Sequence, residues 1–564
     1  MWKKRRVQRN DSRTPLMTEN NNNVQDGFNM TDSRYNSSLA QNTLNTHRER
    51  RLQSKDEITL QELAELLDVA PDDIANTFED GCWCAIQPEP KSGQPNLKPN
   101  FVSLIKRSAS KHFPEPPTAL DQNLHQHLQR VQDTVLHELV RLGPLLEPRG
   151  LMGCLIDCYH HQTCDHLKDL LQNTTSANST FMLINWVQHI YQSQELLGHP
   201  DLQEMDPIKK VDVLLFQEWA VKAKEKLLEN VEKDVRKSLE NILQAEIDEK
   251  HCDCEEAYVK LYVDIIQYID AMHNGAKKIS PDLPDRVQEI CFQELRVFVR
   301  RYIDEQTEVL GKKAEMDEPE TIHFLKTLKT CKELKQHVQT KGAGTRTSLL
   351  KELVGMFENM EASTLALLMG IVTDIAESHL KKYFKSDNKR FFLCADLERH
   401  FPKLPYSVDE QKRVMDEAYK LIVRIYIKHL LRSSRSKLKK RWGSDIGKTV
   451  REDAELLHRT FTDLAPGVQQ WNLTLLQVAE ILECNSLEVL KMDGATMQRH
   501  CLTVSCSEDM VLLPNLLRWK GLSKWKVTEV LNALPPDLQP GPDPGPQPRC
   551  IGSWYSCFTC LCCR

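Results

Sequence analysis

Cysteine and histidine side chains crowd into one stretch of the sequence where they could bind a metal. Cys154, Cys158 and His161 share one face if this stretch is helical, and Cys164 and His166 follow closely. Structural zinc needs four ligands, usually with two cysteines separated by two residues, and neither feature is present. Thiols facing the core of a helical protein explain the cysteines more simply. We therefore expect no metal and no cofactor.

A glycine-containing segment at residues 443–449 (GSDIGKT) partly matches a phosphate-binding loop. Three residues separate its glycines where the motif needs four, and a basic stretch precedes it instead of an apolar strand. The segment therefore predicts a turn between two helices, and we expect no nucleotide site. No set of residues stands out as catalytic, so the sequence indicates a protein that is not an enzyme.

The N-terminal residues carry a cluster of positive charges. It consists of Lys3, Lys4, Arg5 and Arg6, and few acidic residues follow it. Near an anionic membrane such a cluster gains about 1 kcal/mol per charge, which predicts binding to acidic lipids. A nuclear-localisation signal and a merely solvated chain end are the alternatives.

A second group of basic residues is spaced for a helix. Arg424, Lys428, Arg432, Arg435 and Lys439 follow at intervals of four, four, three and four residues. One continuous helix would place them on one face. Because stacked like charges repel, we predict that this stripe binds a partner with acidic side chains or phosphates. A solvated helix face is the alternative.

The cysteines are unevenly distributed. Five of the 18 lie within the last 15 residues. We predict reversible S-acylation of Cys557, Cys560, Cys562 and Cys563, because several acyl chains can hold a peripheral protein at a membrane. A chain end without function is the alternative.

The elements that would position these residues are predicted to be helices. Apolar residues recur every three or four positions between about residues 118 and 534. The clearest run begins at Asp206 and Pro207, an N-cap followed by proline, and predicts one helix of about 40 residues. We expect an all-α fold, an elongated rod of consecutive helical bundles with disordered N- and C-terminal tails.

The domain boundaries follow from changes in composition. We predict a disordered tail at 1–55, a short helix and Pro-rich connection at 56–117, helical bundles at 118–250, 251–408 and 409–534, and a Pro-rich linker with a Cys-rich tip at 535–564. The net charge of −6 argues against a nucleic-acid binder. With no apolar run of about 20 residues and no secretory signal, we expect a cytoplasmic protein.

Several segments read together resemble the exocyst complex component 3 family, and most closely its branch of tumour necrosis factor alpha-induced protein 2 (M-Sec). The likeness covers about residues 118–534 and is specific as a composite pattern. It is carried by LGPLLEPRGL at 142–151, LIDCYH at 155–160, NWV at 185–187, SQELLGHPDL at 193–202, and the helix after Asp206 with Phe216, Glu218 and Trp219.

This resemblance implies stacked bundles of the tethering-complex type, with roles in vesicle tethering, exocytosis and SNARE binding. The M-Sec branch adds a Ral-type small GTPase partner, phosphoinositide contact through a basic N-terminus, and membrane protrusions such as tunnelling nanotubes. We therefore predict an exocyst-related scaffold, cytoplasmic and peripheral at the plasma membrane. Its expected partners are exocyst subunits or SNAREs, a Ral-type GTPase and anionic lipids, without nucleic acid or small-molecule substrate. A cytoskeletal or signalling adaptor without lipid contact is the alternative.

Overall fold

The fold is entirely helical in the part of the chain that the structure describes. The computed structural model describes residues 59–68, 99–203, 206–248, 255–316, 318–385, 391–402, 407–504 and 512–538. Every regular element in these ranges is a helix, which confirms the all-α prediction. None of the described helices has the length and apolar character needed to cross a lipid bilayer.

The chain divides into two compact units. The first contains Met1–Ser238 and Gln267–Cys291, and the second contains Leu239–Ile266 and Phe292–Arg564. Three long helices contribute residues to both units, namely α7 (Val213–Asp248), α8 (Glu255–Ile279) and α9 (Leu283–Ala314). The division into three bundles drawn from the sequence stays a prediction.

Among the described residues of the first unit, six α-helices precede α7. They are α1 (Leu60–Leu66), α2 (Pro99–His112), α3 (Leu120–Leu146), α4 (Met152–Asn173), α5 (Ala177–Trp186) and α6 (Pro207–Lys210). Helix α4 packs against α2 and α3. The buried positions on α3 include Leu124, Leu128, Val131, Val135 and Leu139, three or four residues apart. Burying each such side chain contributes about 1.5–3 kcal/mol, so this stripe fixes α3 in the core.

In the part of the second unit that the structure describes, ten α-helices follow α9. They are α10 (Ile322–Lys341), α11 (Thr347–Tyr383), α12 (Leu393–His400), α13 (Val408–Arg432), α14 (Arg435–Trp442), α15 (Ile446–Leu464), α16 (Leu473–Glu483), α17 (Leu487–Val504), α18 (Leu512–Lys520) and α19 (Lys524–Asn532). Helix α11 packs against α10 and α13, and α15 packs against α16. An aromatic cluster joins α11, α13 and α14, with the Phe384 ring centroid 5.1 Å from Tyr426 and 5.0 Å from Trp442.

The predicted helix after Asp206 is two helices. Pro207 begins α6 at its first position, as predicted, but α6 ends at Lys210. Asp206 makes no side-chain capping bond and has a left-handed backbone with φ of 42°. Asp212 instead starts α7, since its carboxylate accepts a hydrogen bond from the Leu214 backbone nitrogen at 2.9 Å. The single-helix prediction is therefore wrong at its N-terminal end.

The Pro-rich connection predicted at 56–117 contains a helix. Helix α2 begins at Pro99, and its Leu104 and Ile105 are buried. Proline at the start of a helix costs no hydrogen bond, because the first backbone nitrogens have no partner within the helix. The prediction of a short helix in the same segment is confirmed by α1, whose N-cap Thr59 forms a capping box with Glu62.

Candidate partner-binding surface

The predicted basic stripe lies on two helices, not one. Helix α13 ends at Arg432, and Ser433 has an extended backbone with φ of −83° and ψ of 144°. The Ser433 hydroxyl donates to the His429 carbonyl oxygen at 2.8 Å, and Ser434 is the N-cap of α14. Serine hydroxyls compete with the helical backbone for hydrogen bonds, which favours a helix end at this serine pair. The continuous face predicted from spacing is therefore wrong.

Contacts from α18 hold this helix break in place. The Trp519 indole Nε1 donates to the Ser433 carbonyl oxygen at 2.7 Å. The Arg435 guanidinium donates to the Lys520 carbonyl oxygen. Arg435, one of the five predicted partner-binding residues, is thus half-buried and joins α14 to α18.

Lys428 is also engaged within the fold. Its Nζ donates to Glu377 on α11 at 2.5 Å, and the neighbouring His429 approaches the same carboxylate at 2.7 Å. Burial would raise the pKa of Glu377, but these two hydrogen bonds outweigh it and leave that pKa below its ordinary value. The charge of Lys428 is therefore largely compensated. Arg424, one turn earlier, is half-buried as well.

Four exposed basic residues remain at this place, and we call them the α14 basic surface. They are Arg432, Lys437, Lys439 and Lys440. Two of them, Arg432 and Lys439, belong to the predicted stripe. The sequence prediction did not include the other two in the stripe, since Lys437 and Lys440 do not share its spacing. Lys437, Lys439 and Lys440 lie on α14, and Arg432 is the last residue of α13, just before the break.

The opposite side of α14 is anchored by its apolar residues. Leu438 and Trp442 are buried, and the Trp442 ring centroid lies 5.1 Å from that of Tyr383. The Arg441 guanidinium adds a hydrogen bond to the Phe384 carbonyl oxygen at 3.0 Å. This packing presents the α14 basic surface from a fixed support.

Residues 443–449 form the predicted turn with a helix restart, which is confirmed. Gly443 has a φ of 97°, a conformation that favours glycine. Asp445 caps α15 by accepting a hydrogen bond from the Lys448 backbone nitrogen at 3.0 Å. A Cβ on Gly447 would lie 3.0 Å from the Ala479 carbonyl oxygen and closer still to Glu483. The second glycine therefore allows α15 to approach α16 closely.

Lys520 is a buried cation that the sequence analysis missed. Its side chain is 8% exposed, and its Nζ donates to the carbonyl oxygens of Ile481 at 2.8 Å and Leu482 at 2.9 Å. It also donates to the Cys484 carbonyl oxygen, so it caps the C-terminal end of α16. Burial lowers the pKa of Lys520, and the nearby charges of Arg435 and Lys439 lower it further. Its position at the C-terminal end of a helix with four buried leucines was the available signal.

The cysteine and histidine side chains between 154 and 166 do not converge on one point. Cys154 and Cys158 lie one helical turn apart on α4, and the two thiols interact with each other. His161 hydrogen bonds to Asp157, which raises the pKa of His161 to about 9. His166 contacts His127 on α3 instead. Among the residues that the structure describes, no group of three His, Cys, Asp or Glu side chains is placed to hold a metal ion.

The two terminal clusters lie outside the described residues. They are the lipid-binding prediction at Lys3, Lys4, Arg5 and Arg6, and the acylation prediction at Cys557, Cys560, Cys562 and Cys563. Both stay predictions.

Known proteins share the helical architecture of this chain. A crystal structure of M-Sec superposes with a TM-score of 0.54, over 87% of this chain and 93% of the M-Sec chain, at 15% sequence identity. That likeness concerns the fold.

Sequence comparison adds relatives. Human tumor necrosis factor alpha-induced protein 2 is 26% identical over 216 residues, which cover 35% of this chain and 32% of the human protein. Exocyst complex component 3 of Drosophila melanogaster is 21% identical over 405 residues, covering 66% of this chain and 54% of the fly protein. The zebrafish (Danio rerio) exocyst complex component 3-like protein is 24% identical over 263 residues, which cover 43% of this chain and 33% of the zebrafish protein. The matches thus span about a third to a half of these relatives.

The family assignment rests on a longer match. The family model described as exocyst complex component Sec6 matches residues 39–380, which is more than half of the chain. Together with the relatives and the M-Sec structure, this confirms the resemblance noted from the sequence. The chain belongs to the Sec6 family of exocyst complex components.

Proposed function

We propose that this chain is a non-enzymatic scaffold that helps to tether vesicles to the plasma membrane, acting with other exocyst-type subunits. The observation that carries the proposal is the Sec6 family match over residues 39–380. The helical fold supports it, because packed helices offer long surfaces for other subunits, SNAREs and membrane lipids. A role in plasma-membrane protrusions such as tunnelling nanotubes is part of the same proposal. The terminal clusters would add lipid contact and acylation.

The expected result of proximity labelling in cells is enrichment of exocyst subunits around the tagged chain. The matched control is the same labelling enzyme expressed alone at the same level. Co-sedimentation of the purified chain with anionic vesicles then tests the lipid part. Labelling of cytoskeletal or signalling proteins without exocyst subunits, combined with no vesicle binding, would favour the adaptor alternative.

The α14 basic surface is the proposed contact for an acidic protein partner, a Ral-type small GTPase. Residues 432–444 contain six basic and no acidic side chains, and four of the six are exposed on this surface. A positive patch of this kind attracts an acidic partner and mainly raises the rate of association. The anchoring of α14 through Trp442 keeps the charges in place before the partner arrives.

Reversing two exposed charges tests this contact. The double variant Arg432→Glu and Lys439→Glu should slow association with a GTP-loaded Ral-type GTPase by about tenfold or more at low salt, measured by surface plasmon resonance. Arg435 is left unchanged, because it bonds to the Lys520 carbonyl oxygen and its replacement would disturb the fold. Unchanged association would remove the α14 basic surface from the proposal.

The matched control reverses two exposed lysines on α8. Lys277→Glu and Lys278→Glu change the net charge by the same amount, and both residues are exposed. Association that slows equally in this control would indicate a general charge effect. Circular dichroism should show the same helix content in all variants.

A further inference from the structure

The first turn of α19 exposes a tryptophan between two lysines. Of the tryptophans in the described part of the chain, Trp525 is the one that is mostly exposed, at 61%. Lys524 and Lys526 are exposed on either side of it, and the Lys526 Nζ lies 5.8 Å from the Trp525 ring centroid. The core contacts of α19 come from Val527 and Val530, which are buried. Folding of α19 therefore does not require the indole.

The surroundings of Trp525 are positively charged. Residues 510–528 contain four basic and no acidic side chains. Arg518 is exposed, whereas Lys520 is buried as the cap of α16. The nearest carboxylate along the chain, Glu529, forms an ion pair with Lys491 at 3.1 Å, and Glu488 on α17 pairs with the same lysine at 2.9 Å. Two carboxylates thus share Lys491, while Lys524 and Lys526 stay exposed in the first turn of α19.

A shallow depression runs beside the indole. Its volume is about 760 Å³, and it is lined by Lys524, Trp525, Thr528, Glu529 and Asn532. The N-terminal end of α19 adds a partial positive charge here, because the first backbone nitrogens of a helix point outward. An anion approaching the first turn would therefore meet two lysine side chains and the helix terminus together.

We propose that Lys524, Trp525 and Lys526 form a surface, the α19 surface, that binds an anionic lipid bilayer. Tryptophan has a large apolar ring and one polar N–H, so it is favoured at the boundary between headgroups and acyl chains. Lysine and arginine extend their aliphatic stems over apolar surface while their charges reach the phosphates. Each charge near an acidic membrane contributes about fivefold to the binding constant.

This surface goes beyond the proposed function by locating membrane contact on residues that neither the family match nor the sequence analysis assigned. It is distinct from the α14 basic surface, to which we assign a protein partner, and from the N-terminal cluster. Substitutions in one of the three sites therefore test that site independently of the other two. Loss of exocyst or GTPase association with vesicle binding intact would remove the proposed function and leave the α19 surface standing.

Vesicle binding by the full chain provides the test. The probes are phosphatidylcholine vesicles with and without phosphatidylserine, and Lys3, Lys4, Arg5 and Arg6 are changed to alanine throughout to remove their contribution. Lys524→Ala with Lys526→Ala should weaken binding to the phosphatidylserine vesicles by about 30-fold. Trp525→Ala should weaken it on the order of tenfold, and quenching by lipids with brominated acyl chains should fall in the same variant.

Matched variants in the first unit serve as controls. Leu214→Ala removes an apolar side chain that is 71% exposed, and Lys277→Ala with Lys278→Ala removes two exposed charges. These controls should bind as the parent chain does. Equal losses in the controls, full binding by both α19 variants, or no binding by the parent chain would each overturn the proposal. Equal binding to both kinds of vesicle would overturn the assignment to anionic lipid.

Discussion

Asp453→Ala is expected to lower the free energy of unfolding by about 3 kcal/mol. Asp453 is 6% exposed on α15. Its carboxylate accepts a hydrogen bond from the Tyr426 hydroxyl at 2.6 Å and from the Tyr383 hydroxyl at 2.8 Å. Removing the carboxylate leaves two buried phenol groups without this acceptor, and each buried unpaired donor costs about 1–3 kcal/mol. Urea unfolding of the full chain, followed by circular dichroism, measures the loss.

The two tyrosines report on the same interaction. Burial raises the pKa of Tyr383 and of Tyr426, and the negative charge of Asp453 raises both further. Tyr426→Phe should therefore be costly in the native chain and nearly neutral when Asp453 is already alanine, because the phenol then has no carboxylate to bind. Additive losses in this double-mutant cycle would contradict the assignment.

The control for Asp453 lies next to it. Glu452 is exposed on the same helix, so Glu452→Ala removes the same charge without disturbing a buried pair. We expect the free energy of unfolding of this variant to lie within about 0.5 kcal/mol of that of the native chain. If the two alanine variants unfold alike, the buried carboxylate does not stabilise the second unit.

Helices were predictable where apolar residues alone face the core, and less so where polar residues do. Helix α3 buries a regular series of leucines and valines, which the sequence periodicity captured. Helix α10 has a weaker apolar periodicity, because it buries Thr327, Thr330 and His337 among its apolar positions. Thr327 satisfies its hydroxyl locally by donating to the His323 carbonyl oxygen at 3.0 Å. A threonine whose hydroxyl is paired locally can be buried in a core. It then interrupts the apolar pattern that would reveal the helix in the sequence.

The same periodicity overestimated burial at the start of α7. Helical periodicity places Leu214 among the core-facing residues of this run, yet it is 71% exposed. Because α6 and α7 are separate helices, positions before Asp212 do not fix the rotation of α7. The face of a helix follows from where that helix begins, and its beginning depends on a cap.

The candidate site was predicted in composition but not in geometry. The basic residues around 424–441 were recognised, whereas the helix break among them was not. Trp519 bonds to Ser433, and Arg435 bonds to Lys520, across 86 and 85 residues of sequence. Local spacing carries no information about such partners. The sequence therefore indicated which charges are present, and the tertiary contacts decide which of them a partner can reach.

A buried histidine pair in the first unit should make stability fall at acidic pH. The Nε2 atoms of His127 and His166 lie 2.7 Å apart, and the two side chains are 0% and 7% exposed. One imidazole must donate and the other accept, so the accepting ring is neutral and the pair can bind at most one proton without losing this contact. Burial lowers the pKa of His166 to about 4, with a further contribution from His127. Burial and the charge of Arg130 lower the pKa of His127.

The direction of the effect follows from proton binding. In the unfolded chain these histidines bind protons once the pH falls below about 6.5. In the folded chain His166 binds a proton only when the pH approaches about 4. The free energy of unfolding is therefore not reduced by His166 above about pH 6.5, and it falls progressively as the pH is lowered toward 4. Between neutral pH and about pH 5 we expect a loss of about 2 kcal/mol from His166 alone, measured by urea unfolding at each pH.

Substitution of the pair should flatten this pH dependence. The double variant His127→Leu and His166→Leu retains apolar packing against Phe113, whose ring centroid lies 5.0 Å from that of His166. It should lose most of the difference in stability between neutral and acidic pH, while a smaller slope persists because burial also lowers the pKa of His160. His125 lies exposed on α3 two residues from His127, so His125→Gln should leave the slope unchanged. An equal slope in the native chain and the double variant would show that other groups govern the acid sensitivity.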